Sequence, residues 1–331
     1  MNKRVLITGG AGFVGYHVTR SFLEDNDTDI TVIDNFNPYY SVDLKEARIQ
    51  ELFKLHGKDS FNVVRGDIAD KTFVEEIFKR KFDVVVHLAA QAGVRYAKEN
   101  PRVYLESNVD GFFNVINSMQ KSNNDGLLLY ASSSSVYGGN KKVPFEETDT
   151  CTNPLSIYAS SKLADEMIAE SYVNSFGMKC IGLRFFNVYG PWGRPDAAYY
   201  KWSQALKDGE PIELRDNGEL YRDMTYAGDV VKSIRHLIDT YSAYHSPIHE
   251  VFNIGNESPV RIGDLLDYLV KSLGIQPVQI QAPPRGNEEP VMTRASTDKL
   301  KQTIGFAPAT PFKKGIDEFI AWFKQYHKNS N

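Results

Sequence analysis

The chain has 331 residues, of which 42% are hydrophobic and 24% charged, a balance typical of a globular protein with one large domain or about two smaller ones. Its 38 basic and 42 acidic residues give a formal charge of −4, which argues against a general electrostatic attraction to nucleic acid or anionic lipid. No apolar run approaches the roughly 18 residues of a membrane-spanning helix, and two cysteines supply neither a disulfide framework nor a metal site, so a cytoplasmic enzyme without a metal is expected.

Short apolar runs alternate with stretches of helical periodicity in the first half of the chain. The runs are continuously apolar rather than alternating, as expected of strands that are buried on both faces. They comprise residues 4–7, 30–33, 61–64, 84–88, 127–130 and 180–183. Strands separated by helices predict a parallel, doubly wound α/β sheet.

A glycine-rich turn follows the first strand and opens a predicted helix. Gly9, Gly12 and Gly15 have the spacing that lets a pyrophosphate approach the helix N-terminus. The second strand ends in Asp34, where a carboxylate accepts hydrogen bonds from an adenosine ribose and repels a 2′-phosphate. Together these features predict an NAD site and favour NAD over NADP, with a plain glycine turn and a surface aspartate as the alternative.

Polar or small residues also follow the third and fourth strands. Asp67 is expected either to bind the adenine amino group or to cap a helix. Leu88, Ala89 and Ala90 suit a backbone that passes close to the cofactor, and they suit simple close packing equally well.

Four serines, residues 132–135, come directly after the fifth strand. A serine at the carboxyl edge of the sheet can hydrogen-bond a substrate hydroxyl together with Tyr158. Taken alone, the run would be interpreted as a solvated loop, but its position after a buried strand and twenty-odd residues before Tyr158 favours a catalytic role.

Tyr158 and Lys162 form a Tyr-x-x-x-Lys pattern in a predicted helix, so both side chains share one helical face. The lysine charge and the positive nicotinamide ring of NAD⁺ both favour the phenolate. A phenolate can remove the proton of a sugar hydroxyl as hydride leaves for the nicotinamide. The pattern alone is weak because the chain has 18 tyrosines.

The pattern changes after about residue 187, which predicts a smaller C-terminal α/β lobe over the carboxyl edge of the sheet, where ligands of such folds bind. Residues 190–195 and 283–287 are turn-rich loops, and residues 312–326 have the periodicity of an amphipathic helix. The predicted division is a Rossmann-type domain of residues 1–186, with a return segment near 224–253, and a substrate-binding lobe of residues 187–223 and 254–331.

With these motifs, the chain resembles the extended short-chain dehydrogenase/reductase family, specifically its nucleotide-sugar epimerases, from Lys3 to about Asp229 and more loosely beyond. The resemblance implies NAD as cofactor and Tyr158 as acid/base, with Lys162 as its electrostatic partner and Ser133 as the family's Ser/Thr. It further implies that the pyrophosphate is held by Gly9, Gly12, Phe13, Val14 and Gly15, the adenosine ribose by Asp34, Asn35 and Asn37, and the adenine by Asp67 and Ile68. Other cofactor contacts are expected from Leu88, Ala89, Ala90 and Asn108, as well as from Tyr158 and Lys162.

On the substrate side, the resemblance implies that Asn187 contacts a phosphate and that Arg222 and Arg285 clamp the nucleotide diphosphate. Segments 35–40, 89–96 and 190–196 are similar to UDP-glucuronate 4-epimerases. Within them, Gln91, Arg95 and Arg194 are expected to contact substrate, and Arg194 with the hydroxyls of Ser134 and Ser135 suits a sugar carboxylate.

Two departures keep a neutral UDP-hexose open as the alternative substrate. The subgroup usually carries Thr where this chain has Asn187, a residue common in epimerases of neutral sugars such as UDP-glucose or UDP-N-acetylglucosamine. The loop at residues 284–290 also differs from the subgroup's usual Pro-Gly-Asp.

The implied reaction is reversible oxidation at C4 of a UDP-sugar through a transient 4-keto sugar. Relatives usually form dimers through the helix that bears Tyr158 and the helix near residues 103–118, so a homodimer is expected. A 4,6-dehydratase or a decarboxylase would need acids where Ser134 and Ser135 stand, and a 3,5-epimerase would need a Cys/Lys pair. A non-catalytic NAD-binding regulator would be expected to have lost Tyr158, Lys162 or the serine.

Overall fold

The apolar runs of the sequence lie side by side at the centre of the molecule. The computed structural model describes residues 3–25, 27–287 and 289–328. Its strands are β1 (Lys3–Thr8), β2 (Thr28–Asp34), β3 (Asn62–Arg65), β4 (Val84–His87), β5 (Leu127–Ser133), β6 (Lys179–Phe185), β7 (Asn187–Tyr189), β8 (Ile212–Glu213), β9 (Tyr221–Tyr226), β10 (Ile248–Ile254), β11 (Pro259–Arg261) and β12 (Ile280–Gln281). Seven of these described strands form a parallel sheet in the order β10-β6-β5-β4-β1-β2-β3. All six predicted runs belong to it, so the predicted parallel, doubly wound fold is confirmed.

Helices connect the strands, and their ends follow local signals. They are α1 (Phe13–Leu23), α2 (Val42–His56), α3 (Lys71–Phe78), α4 (Tyr96–Glu99), α5 (Arg102–Tyr104), α6 (Gly111–Ser122), α7 (Ile157–Phe176), α8 (Ala198–Asp208), α9 (Ala227–Ser242), α10 (Ile262–Leu273), α11 (Asp298–Ile304) and α12 (Phe312–Lys328). The hydroxyl of Ser156 caps α7 by accepting the N–H of Ala159 at 3.1 Å. Gly177 ends the same helix with φ at 73°, a left-handed conformation that glycine adopts without strain. The predicted C-terminal helix is confirmed as α12.

Two apolar layers cover the faces of the parallel sheet. Successive residues of a strand point to opposite faces, so in β1 Val5 and Ile7 pack into one layer and Leu6 into the other. The first layer includes Ile234 of α9, and the second includes Val115 of α6; all of these side chains are fully buried. Because both faces are covered, the carboxyl edge of the sheet is left to bind ligands.

Beyond β6 the chain builds two small sheets. Strands β11, β9 and β7 lie side by side in one of them, and β12 pairs with β8 in the other. Helices α8, α10 and α12 contribute to an aromatic core next to these sheets that includes Tyr199 and Phe319. The domain boundaries given above stay a prediction, and their ranges include residues 1–2, Asn26, Glu288 and 329–331, which lie outside the described part of the chain.

No helix in the described ranges is long and apolar enough to cross a membrane. The same residues include no group of three or more His, Cys, Asp or Glu side chains that could hold a metal ion. Cys151 and Cys180 are free thiols.

A buried arginine ties the 190–195 loop to the glycine turn. Arg48 of α2 is completely buried and donates to the carbonyl oxygen of Ala11 at 2.8 Å. The same guanidinium donates to the carbonyl oxygens of Trp192 and Gly193 at 2.7 and 3.0 Å. Hydrogen bonds from a charged donor are stronger than neutral ones, so this contact fixes the loop against the turn.

A histidine holds the same loop from α1. His17 lies 2.8 Å through Nε2 from the carbonyl oxygen of Pro191, which can only accept, so Nε2 carries the proton. Burial lowers the pKa of His17 to about 4, and the ring is therefore neutral at pH 7.

Candidate active site

A cavity of about 1010 Å³ lies between the carboxyl edge of the parallel sheet and the small sheets. Its wall brings together all but two of the residues that the sequence predicted for the site. Those on the wall are Gly9, Gly12, Phe13, Val14, Gly15, Asp34, Asn35, Asn37, Asp67, Ile68, Leu88, Ala89, Ala90, Gln91, Arg95, Ser133, Ser134, Ser135, Tyr158, Lys162, Asn187, Arg194 and Arg222. Asn108 and Arg285 do not belong to the wall.

The glycine turn packs so tightly that side chains are excluded. Gly9 has φ at +69°, and a Cβ there would lie 2.7 Å from the backbone nitrogen of Ala89. A Cβ on Gly15 would lie 2.2 Å from the carbonyl oxygen of Gly9. Gly12 begins α1 without a side-chain cap, so the first N–H groups of the helix remain available to an anion.

Asp34 lies at the end of β2 with its side chain buried. One carboxylate oxygen accepts the N–H of Phe36 at 2.8 Å, and the other accepts the N–H of Ala11 at 3.1 Å. Burial raises the pKa of Asp34, and these two N–H groups oppose the shift. Each carboxylate oxygen keeps a second lone pair, so Asp34 can still accept from a ribose hydroxyl.

Polar side chains continue the wall beside Asp34. Asn35 donates to a carboxylate oxygen of Asp67 at 2.9 Å, and the backbone N–H of Asn37 donates to the side-chain oxygen of Asn35 at 3.0 Å. The carbonyl oxygen of Asn37 accepts from Lys45 at 2.6 Å. These contacts order the chain after β2 at the adenosine end of the predicted cofactor site.

The serines split between two roles. Ser132 donates to Glu166, a buried carboxylate, at 2.5 Å. The hydroxyl of Ser133 accepts from the N–H and the hydroxyl of Ser135 at 3.2 and 3.0 Å. Ser134 begins a short 3-10 helix, residues 134–137, which turns the run toward the cavity.

Tyr158 and Lys162 lie one turn apart on α7, as predicted, and both reach the cavity wall. The ring of Tyr158 contacts that of Tyr104 edge to face, with 6.1 Å between centroids. Lys162 is only 1% exposed, and its ammonium lies 3.0 Å from a carboxylate oxygen of Asp165. The arrangement places a phenol at the cavity and a buried lysine one turn further along the same helical face.

Arg194 faces the cavity and pairs with Asp196. The two side chains form a bidentate contact, with N···O distances of 3.0 and 2.6 Å. The hydroxyl of Tyr39 donates to the same carboxylate at 3.3 Å. Asp196 therefore holds Arg194 in a fixed orientation, and the remaining guanidinium N–H groups can bind a substrate anion.

A second cationic group lies where β9 meets the 283–290 loop. Arg222 donates to the carbonyl oxygen of Tyr221 at 2.9 Å, and burial lowers the pKa of its guanidinium. Arg95 pairs with Glu289 at 2.6 Å across the cavity. Glu289 is the carboxylate that acts on Arg222 among the described residues, and Arg222 forms no ion pair there, so its guanidinium can bind a diphosphate.

Two predicted site residues lie elsewhere. Asn108 lies in a π-helical turn, residues 105–110, and is completely buried. Its side-chain oxygen accepts the N–H of Gln91 at 2.7 Å, and its amide nitrogen donates to the carbonyl oxygen of Gln91 at 3.1 Å and to the hydroxyl of Ser161 at 2.9 Å. Asn108 therefore supports the cavity wall without lining it. Arg285 donates instead to the carbonyl oxygen of Glu289 at 2.6 Å.

Several residues of the site were missed by sequence reasoning. Asp165 and Asp196 stand three and two residues after their cationic partners, and this local charge spacing could have revealed them. Lys45 and Glu289 belong to no motif and reach the cavity through the fold alone.

The chain matches known proteins along most of its length. Residues 5–255 match the NAD dependent epimerase/dehydratase family. UDP-glucuronate 4-epimerase 4 of Arabidopsis thaliana is 40% identical over 336 residues, which cover 98% of this chain and 76% of that protein. Protein CapI of Staphylococcus aureus is 39% identical over 345 residues, covering 98% of this chain and 99% of that protein. Among solved structures, UDP-glucuronic acid 4-epimerase from Bacillus cereus, in complex with UDP-glucuronic acid and NAD, superimposes with a TM-score of 0.89 at 28% identity, covering 98% of this chain and 99% of that one.

Proposed function

The chain belongs to the NAD dependent epimerase/dehydratase family, and from this premise we propose that it is an isomerase that interconverts UDP-glucuronate and UDP-galacturonate by NAD-dependent 4-epimerisation. The observation that carries the proposal is the common wall of one cavity, where Tyr158, Lys162 and Ser133 stand beside the glycine turn. A cavity of about 1010 Å³ has room for a dinucleotide together with a nucleotide sugar.

The residues present fit NAD. The glycine turn leaves no space for side chains where a pyrophosphate would approach, and the uncapped start of α1 offers it N–H groups. Asp34 supplies the carboxylate for the adenosine ribose. NAD, when bound, accepts hydride from C4 of the sugar and returns it.

Tyr158 carries the proton chemistry of the proposed reaction. Its phenolate takes the proton of the 4-hydroxyl as C4 is oxidised, and its phenol returns the proton as the 4-keto sugar is reduced on the other face. The charge of Lys162 stabilises the phenolate. The hydroxyl of Ser133, already held by Ser135, hydrogen-bonds the reacting oxygen and keeps it in line with Tyr158.

A cation and hydroxyl groups on the cavity wall support a uronic acid as the sugar of the substrate. Arg194, oriented by Asp196, can form a charge-assisted contact with the sugar carboxylate. Ser134 lies on the same wall and adds a hydroxyl donor, and Ser135 lies there with its hydroxyl donated to Ser133. They also stand where a dehydratase or a decarboxylase would need acids, which makes those reactions the weaker proposals.

Epimerisation of a neutral UDP-hexose is the second candidate, and Asn187 favours it. This side chain lies on the cavity wall and provides an uncharged amide at a proposed substrate contact. Incubation with UDP-glucuronate, UDP-glucose and UDP-N-acetylglucosamine separately, followed by proton NMR, distinguishes the candidates. A galacto-configured product from UDP-glucuronate alone supports the main proposal, whereas release of carbon dioxide or loss of the hydroxymethyl signals contradicts it.

The change Arg194→Gln is expected to lower kcat/KM for UDP-glucuronate by about 100-fold, because it removes the charge that faces the carboxylate. Turnover of any neutral UDP-hexose should change much less. Arg235→Gln serves as the control, since Arg235 pairs with Asp25 away from the cavity. Equal losses on charged and neutral sugars would contradict the assignment of Arg194 to the carboxylate.

We also propose a homodimer that pairs through α6 and α7. These helices pack together on one face of the sheet, and they leave Phe113 and Met167 45% and 64% exposed. Large apolar side chains exposed together are typical of an interface between protein chains. The proposed location is the cytoplasm, which suits the two free thiols.

Light scattering is expected to give twice the mass of one chain. The double change Phe113→Asp and Met167→Glu should yield monomers that keep the fold, because both side chains already face solvent in one chain. Leu55→Asp on α2, 48% exposed in the single chain, is the matched control. A wild-type protein that is monomeric at working concentration would refute the dimer.

A further inference from the structure

A buried carboxylate lies against Lys162, and the proposed mechanism gives it no role. The ammonium of Lys162 and one carboxylate oxygen of Asp165 are 3.0 Å apart, and both side chains are 1% exposed. The other carboxylate oxygen of Asp165 has no hydrogen-bond partner within the described residues. A buried charge pair of this kind is costly to desolvate, so packing alone does not account for it.

The position of Asp165 affects the reacting group through Lys162. The proposed reaction uses the positive charge of Lys162 to favour the phenolate of Tyr158. A carboxylate in contact with that ammonium cancels part of its field. It also takes one of the three ammonium N–H groups and fixes the direction of the others.

From this contact we propose that Asp165 is a positioning residue that holds the Lys162 ammonium and weakens its attraction for the Tyr158 phenolate, thereby raising the pH at which Tyr158 becomes a base. The proposal rests on the proposed function in one respect only, the pairing of Tyr158 with Lys162.

Two titratable neighbours of the pair, His87 and Tyr130, keep one charge state, and the groups that interact with Tyr158 itself are Arg194 and the phenol of Tyr104. Burial lowers the pKa of His87, at the end of β4, to about 3, with help from Lys162, so its ring stays neutral. Burial raises the pKa of Tyr130 on β5 well above its ordinary value, so the phenol also stays neutral. Glu166 is held by Arg184 at 2.8 Å.

Asp165 itself titrates closer to neutrality. Burial raises the pKa of Asp165 to about 6, and Lys162 opposes that shift. The carboxylate is therefore charged at pH 7 and above, where it acts on Lys162, and it becomes neutral as the pH falls below about 6.

The test is the change Asp165→Asn, which keeps the shape and removes the charge. Seven residues of helix place Asp165 roughly 10 Å from Tyr158, and a charge at that distance shifts an ionisation by about one pH unit. In the NAD⁺ complex, the tyrosinate absorption of Tyr158 is the part of the signal that Tyr158→Phe abolishes. The midpoint of that absorption in a pH titration should lie about one pH unit lower in Asp165→Asn than in the wild type. The acid limb of kcat/KM should move to lower pH by the same amount.

Three further variants make the result decisive. Asp165→Glu keeps the negative charge and should show the wild-type pH profile. Asp165→Ser removes the charge with a smaller side chain, and it replaces the asparagine variant if that variant does not fold. Glu170→Gln removes a half-exposed carboxylate from the same helix, where it contacts His249, and should leave the midpoint unchanged.

Loss of thermal stability in the asparagine and serine variants without movement of the midpoint would overturn the proposal and leave Asp165 a structural role. The tyrosinate titration needs no turnover. A protein that shows the shift but epimerises no UDP-sugar would refute the proposed function and keep the inference. A protein that epimerises a UDP-sugar but shows no shift would refute the inference and keep the proposed function.

Discussion

Replacing Tyr158 by phenylalanine is expected to reduce turnover by at least about 1000-fold and to leave NAD and the UDP-sugar bound. The change deletes a single hydroxyl, the atom that exchanges a proton with the 4-hydroxyl in the proposed reaction. The ring keeps its contact with Tyr104, and the cap at Ser156 that starts α7 is untouched. Proton NMR of the sugar and titration of NAD by fluorescence measure the two effects separately.

The matched control is Tyr172→Phe on the same helix. Tyr172 donates its hydroxyl to Asn117 at 3.2 Å, away from the cavity, so full activity is expected of this variant. A Tyr158→Phe enzyme that retained a tenth of the wild-type rate would rule out Tyr158 as the acid/base.

The change Gly15→Ala should weaken NAD binding by about 100-fold, which is roughly 2.7 kcal/mol of binding free energy, because the new side chain displaces the backbone of the glycine turn. The new Cβ would lie 2.2 Å from the carbonyl oxygen of Gly9 and 2.7 Å from the Cα of Gly10. Both atoms belong to the backbone, so the whole glycine turn has to move away from α1. The turn is the surface proposed to meet the pyrophosphate, and NAD affinity measured by calorimetry therefore reports the displacement.

Gly274 is the control position, where a substitution is expected to affect stability but not NAD binding. A Cβ on Gly274, at the end of α10, meets no atom within 4 Å, but φ is +73° there. Gly274→Ala should therefore lower the unfolding free energy by about 1 kcal/mol and leave NAD affinity unchanged. Normal NAD binding by Gly15→Ala would show that the cofactor does not use this turn.

The sequence predicted those parts of the fold that depend on local pattern. Buried strands such as β1 and β5 are continuous apolar runs, and the glycine turn, Asp34 and the Tyr158–Lys162 pair are separated by fixed spacings. Strand β10 was not singled out, because three of its seven residues are polar or charged and its position beside β6 depends on a contact across more than 60 residues. Strands β7, β8, β11 and β12 have two or three residues each, too few to show a periodicity.

The sequence also did not predict the direction in which some polar side chains point. The resemblance implied that Asn108 contacts the cofactor and that Arg285 clamps the diphosphate, but neither residue lies on the cavity wall. Asn108 turns its amide to the backbone of Gln91, and Arg285 turns to the 283–290 loop. A spacing along the chain does not state which of several nearby acceptors a long or polar side chain chooses.

The Arg48 contact and the Arg95–Glu289 ion pair both span the cleft, and they differ in strength. Its guanidinium, on a completely buried residue, joins the turn at Ala11 to the loop at Trp192 through charge-assisted hydrogen bonds, whereas Arg95 and Glu289 meet across the same cleft as an ion pair with Arg95 half exposed. Exposed pairs of that kind contribute at most about 1 kcal/mol, so the Arg95 contact gives way first. Breaking the Arg48 contact would leave a completely buried guanidinium without its acceptors, whereas the half-exposed Arg95 would exchange its partner for water, so the two contacts across the cleft differ in cost.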